Sequence, residues 1–230
     1  MPINKAVLAA FKAATRLRPD IKEFYKAQRV AEDLSARLAI PNPRCRIDDI
    51  TAPMPDGCAL PLRVFTPLDI DFSLAEGFKV TEDFRGTVLF FHGGGWVTGN
   101  IDSYDKVCTN MARLTRHIVV SVDYRLAPEH RFPAAPEDCY LAAREIFSQC
   151  HLFGITPDDI TLIGDSAGGN LAAVVSLMAR DRGEFMPRQQ ILLYPATNND
   201  HTENSPFESV RTNGTDYLLT SKRMVDYMKL

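Results

Sequence analysis

The chain has 230 residues, 45% of them apolar and 24% charged, with a net charge of −3, which gives it length for one core and an appendage. Nothing in that charge points to nucleic acid, and the longest apolar runs, Ala6–Phe11 and Leu171–Ala179 (with Ser176 inside it), fall far short of a membrane span. Five cysteines (Cys45, Cys58, Cys108, Cys139 and Cys150) without a Cys-x-x-Cys pair are expected to stay reduced as packing residues, in a cytoplasmic setting.

Apolar residues at helical spacing (Ile3, Val7, Phe11, Ala14, Leu17, then Ile21, Phe24, Leu34, Leu38) predict two helices within 3–38, separated at Pro19. Residues 1–46 carry ten Lys/Arg against four Asp/Glu. Such a basic pair is compatible with a lipid surface, but the expectation is a solvated face over a buried stripe, with no stable membrane insertion. Pro41-Asn42-Pro43 closes the pair, and Arg46–Thr51 and Leu60–Thr66 predict a hairpin around Met54-Pro-Asp-Gly57. A long, turn-rich connection over 67–85 has no assigned role.

Thr87–His92 predicts a buried strand that runs into Gly93-Gly94-Gly95-Trp96, where glycines let backbone N–H groups approach a reacting atom. A helix (104–116), a strand (117–123), a helix (136–147), a strand (159–164), a small-residue helix (171–179) and a strand (190–195) follow. Strands alternating with helices predict an α/β fold, a mostly parallel sheet flanked by helices. The strand at Ile160–Ile163 enters Gly164-Asp165-Ser166-Ala167-Gly168-Gly169 and a helix leaves it, the strand–turn–helix context of a nucleophile elbow. The ending Gly-Lys-Ser/Thr of a P-loop and the glycine spacing of a dinucleotide fingerprint are both missing from this turn.

Three motifs, His92-Gly-Gly-Gly95-Trp96, Asp123-Tyr-Arg-Leu-Ala-Pro-Glu129 with Phe132-Pro133, and Gly164-Asp-Ser-Ala-Gly-Gly169, together resemble the hormone-sensitive-lipase family of α/β-hydrolase carboxylesterases. The resemblance implies Ser166 as nucleophile, with the N–H groups of Gly94, Gly95 and Ala167 as oxyanion hole and His92 and Gly93 as loop support. It implies hydrolysis of small, short-acyl esters, and neither a metal nor an organic cofactor. The segments expected are a helical cap over 1–44, the hydrolase core over 45–195, and the start of an inserted cap segment over 196–230 that ends inside a helix.

In that family the acid and histidine follow the serine on loops after two later strands. The one histidine after Ser166 is His201, beside Asp200, and neighbours on one loop cannot act in series on a distant serine. No triad acid or histidine is therefore assigned, and the chain is expected to be a truncated form lacking the last strands and helices. Ile191–Tyr194 would then be an open sheet edge through which two copies could pair. The rival expectation is a non-catalytic small-molecule-binding module on the same fold.

Overall fold

The computed structural model describes residues 4–38, 45–68, 86–153 and 155–230, so most of the 67–85 connection lies outside the described residues. The elements in chain order are α1 (Lys5–Leu17), α2 (Ile21–Arg37), β1 (Cys45–Pro53), β2 (Ala59–Pro67), β3 (Thr87–Phe91), α3 (Asp105–Thr115), β4 (Ile118–Val122), α4 (Ala134–Ser148), β5 (Ile160–Asp165), α5 (Ala167–Arg182), β6 (Gln189–Leu193), α6 (Glu208–Asn213) and α7 (Ser221–Met228). They fall into two compact units, Met1–Val30 with Thr197–Leu230, and Ala31–Ala196.

The larger unit holds a six-stranded sheet in the order β1-β2-β4-β3-β5-β6. β1 and β2 form the expected hairpin, Pro53 opposite Ala59, and β2 runs antiparallel to β4. β4, β3, β5 and β6 are parallel. Successive side chains of a strand point to opposite faces, so each parallel strand must be apolar on both. Val88 and Phe90 of β3 accordingly join Val119, Ile163 and α3's Cys108 and Ala112 on one face. Leu89 and Phe91 join Val120, Leu162, α4's Ala142 and Ala143, and α5's Leu171 and Val175 on the other. The chain goes from β3 to β4 on one side and then crosses to β5 on the other. That reversal opens a crevice beyond the carboxyl ends of β3 and β5, where ligands of open α/β sheets bind.

Several expectations change. The stripe expected to be buried on α1 and α2 is not: Ile21 is buried, but Leu17, Phe24, Leu34 and Leu38 are 46–83% exposed. Local terms support these helices instead, since the Asn4 side chain caps Ala6 N and the Asp20 carboxylate caps Lys22 N. α5 starts at Ala167, directly after Ser166, rather than at Leu171. Within 196–230 the chain forms α6, which was not expected, and α7, with Lys229 as its C-cap. All five thiols are free, and Cys58 is exposed rather than packed. Among the described residues no helix is long and apolar enough to cross a membrane.

Candidate active site

β3 and β5 are in register with Phe91 opposite Gly164, so the loops that follow them leave the sheet side by side. They are locked in two ways, the first a pair of hydrogen bonds to Asp165. Gly93 N donates to Asp165 Oδ1 at 2.9 Å, and the Tyr104 hydroxyl donates to Asp165 Oδ2 at 3.0 Å. The second is steric: a Cβ on Gly168 would lie 1.9 Å from the Phe91 carbonyl oxygen, so the first turn of α5 rests directly on β3's backbone. Burial pushes the Asp165 carboxyl upward, opposed by its bonds from Tyr104 and Gly93. The Tyr104 phenol is pushed up as well, by burial and then by the neighbouring Asp165 charge.

Ser166 caps α5 with φ +54° and ψ −114°, a conformation side chains disfavour at about 1–3 kcal/mol. Its own peptide groups hold it there. Ser166 N donates to Leu193 O at 2.9 Å, and Ser166 O accepts from Asn170 N at 3.0 Å and Ala196 N at 3.1 Å. The buried Ala167 supplies the first N–H of α5, a group that finds no acceptor within its own helix and sits at its positive end.

The glycine loop is set one peptide plane at a time. The C=O and N–H of a trans peptide point in opposite directions, so a bond to one aims the other. His92 O accepts from the Tyr124 hydroxyl at 2.7 Å, which turns Gly93 N toward Asp165. Gly93 O is bonded to His92 Nδ1 at 2.8 Å, which turns the Gly94 N–H away from the imidazole. Gly94 O accepts from Val97 N at 3.2 Å and Thr98 N at 3.0 Å, which turns the Gly95 N–H away from that turn. Because its partner is a carbonyl, His92 Nδ1 carries the proton. The ring is fully buried, stacks on Tyr124 at 4.2 Å, and burial pushes its pKa down to about 4. A neutral, tethered ring supports a loop and is no proton shuttle at neutral pH.

A model of the alpha/beta hydrolase fold matches residues 88–230. The chain belongs to that family. The chain is 36% identical over 202 residues to an ethyl acetate hydrolase of Pseudomonas putida, covering 86% of the chain and 59% of the relative. It is 38% identical over 198 residues to the carboxylic ester hydrolase LipN of Mycobacterium tuberculosis, covering 82% and 47%. A hyperthermophilic esterase from the archaeon Pyrobaculum calidifontis superposes with a TM-score of 0.78 at 35% identity, over 100% of this chain and 70% of that one. These relatives bear out the hormone-sensitive-lipase-like branch expected from the three motifs. The chain spans 59% and 47% of the length of those two curated relatives.

The structure thus brings Ser166, Ala167, His92 and the loop Gly93–Gly95 to one end of the sheet. Of the other four histidines, the His117 ring bonds Thr115 O, the His201 ring bonds Asn198 O, and His130 and His151 are exposed. Sequence reasoning missed Asp165, Tyr104 and Tyr124. Two of them lay in plain view inside the motifs, Asp165 before the serine and Tyr124 after Asp123. Their tasks exist only once strands distant in sequence pair: Tyr104 and Asp165 are 61 residues apart.

Proposed function

We propose that the protein is a serine carboxylesterase acting on small, uncharged, short-acyl esters through an acyl-enzyme. The observation that carries this reading is Ser166 held at φ +54° between β5 and α5, level with a glycine loop whose peptide planes are individually fixed. In the reaction the Ser166 hydroxyl gives up its proton to solvent water as Oγ bonds to the ester carbonyl carbon, and the carbonyl electron pair moves onto oxygen. The N–H groups of Gly94, Gly95 and Ala167 meet that charge, each such donor being worth about 10²–10³ in turnover. The C–O bond to the alcohol then breaks, and water later frees the acid. No residue of 1–230 is assigned as general base or acid. Relatives named for ethyl acetate and carboxylic esters support the substrate class. The five free thiols support a cytoplasmic setting.

An aryl ester tests the nucleophile without needing an acid for the leaving group. On mixing with p-nitrophenyl butyrate, nitrophenolate should appear together with a butyryl group on the Ser166 peptide in mass spectra, and Ser166→Ala should abolish both. Undiminished release in Ser166→Ala, or an adduct elsewhere, overturns the assignment. Tight binding of the ester with no release from wild type would establish the binding-module reading instead.

The position of β6 supports a partner reading as well: among the described residues it is an edge strand, with Ile191 and Leu193 47% and 40% exposed on it and Tyr194, just after it, 75% exposed. Unpaired backbone groups there favour pairing with a second copy. Sedimentation equilibrium should show a dimer that Leu193→Lys dissociates; a monomer at all concentrations contradicts it.

A further inference from the structure

We propose that Glu32, with Asp33 beside it, is a positioning residue for the oxyanion loop, acting through Gly99. The inference rests on the esterase reading above and deepens it. The last two turns of α2 lie in the larger unit with the site. There Glu32 Oε2 accepts from Gly99 N at 2.9 Å, and Asp33 Oδ1 accepts from Asn100 Nδ2 at 2.5 Å. Asn100 is itself tied to Ser103, by Asn100 N to Ser103 Oγ at 3.0 Å and by Ser103 N to Asn100 Oδ1 at 2.8 Å, so the 99–103 turn is held as a block.

Gly99, at φ +86°, is wedged behind the loop. A Cβ on it would fall 2.6 Å from Gly93 O and 2.7 Å from His92 Nδ1. Those two atoms are the pair whose hydrogen bond aims the Gly94 N–H. A carboxylate on α2 therefore holds the backstop against which the His92–Gly93 contact closes. Glu32 touches neither substrate nor reacting atoms. It acts one residue removed, by denying the Gly93 peptide room to rotate. The N-terminal helix, which a fold-level view treats as a cover, thereby takes part in building the oxyanion hole.

Because the donor it steadies meets charge only in the transition state, loss of Glu32 should lower kcat and leave KM alone. Glu32→Ala in the full chain should reduce kcat for p-nitrophenyl butyrate about 10- to 100-fold. Glu32→Gln, which retains an acceptor oxygen for Gly99 N, should recover most of it. Hydrogen exchange supplies a readout without substrate: amides of the Gly93–Gly99 loop should exchange faster in Glu32→Ala and near wild type in Glu32→Gln. Should Glu32→Ala melt early, Glu32→Met keeps the stem and carries the same comparison. Unchanged kcat together with unchanged loop exchange would overturn the proposal, as would an effect on KM alone. If wild type shows no turnover dependent on Ser166, the esterase reading fails by itself, and loop exchange still decides whether Glu32 positions the loop.

Discussion

Gly168→Ala is expected to destabilise the protein by about 4 kcal/mol or more, far beyond an ordinary single-methyl change. The added Cβ would stand 1.9 Å from Phe91 O and 2.6 Å from His92 O. Both are backbone atoms of a central strand end, so no rotamer change relieves the overlap. Either α5 lifts from the sheet or β3 loses its register with β5, and each route also separates Gly93 N from Asp165. Gly57→Ala is the matched control, because its Cβ would meet nothing within 4 Å and only the φ of +82° is strained. That variant should lose only about 1–2 kcal/mol. Urea unfolding of the two variants checks the contrast, and a Gly168→Ala midpoint equal to that of Gly57→Ala would mean that this junction is looser than described.

The second large effect is acid lability through His92. The ring is buried, with its folded pKa pushed down to about 4 from an ordinary 6.5. Between those values the unfolded chain takes up a proton that the folded ring refuses. The unfolded state thus binds more protons there, and stability rises with pH across the window. This contribution is complete above about pH 6.5, falls as pH drops toward 4, and levels off below; the total is about 3 kcal/mol. Asp165 and Asp123, whose carboxyls burial pushes upward, act in the opposite sense in the acid range. The His92 share is therefore read as a difference. Unfolding free energies at pH 7 and pH 4.5 should fall steeply for wild type and less so for His92→Asn. Equal slopes in the two proteins would show that the ring is protonated inside the fold.

The central sheet was legible because strands buried on both faces must be written as near-continuous apolar runs, and Thr87–Phe91 and Ile160–Ile163, each with a single threonine, are such runs. The elbow and the glycine loop were legible because both carry residues with no ordinary packing use at that spacing. The start of α5 was not. Gly168 and Gly169 disfavour a helix by propensity, and contact with the β3 backbone overrides that preference. The helical periodicity of α1 and α2 was real, but the inference that periodicity means burial failed at Phe24, Leu34 and Leu38. α6 escaped because its six residues, none of them buried, carry no stripe at all. Asp165 and Glu32 looked like surface carboxylates, since a chain written in one dimension does not show which amide each will face.

The direct seating of α5 on the ends of β3 separates two things that most proteins couple. Where a layer of side chains lies between a helix and a strand, every core substitution shifts the groups mounted on them. Here the serine turn and the glycine loop meet through main-chain contact at Gly168 and through the Asp165 carboxylate at Gly93, with no layer of apolar side chains between them. Exchanges among Leu89, Val120, Leu171 and Val175 should move the melting point while leaving that junction alone. The interior can thus be repacked without moving the loops that follow β3 and β5.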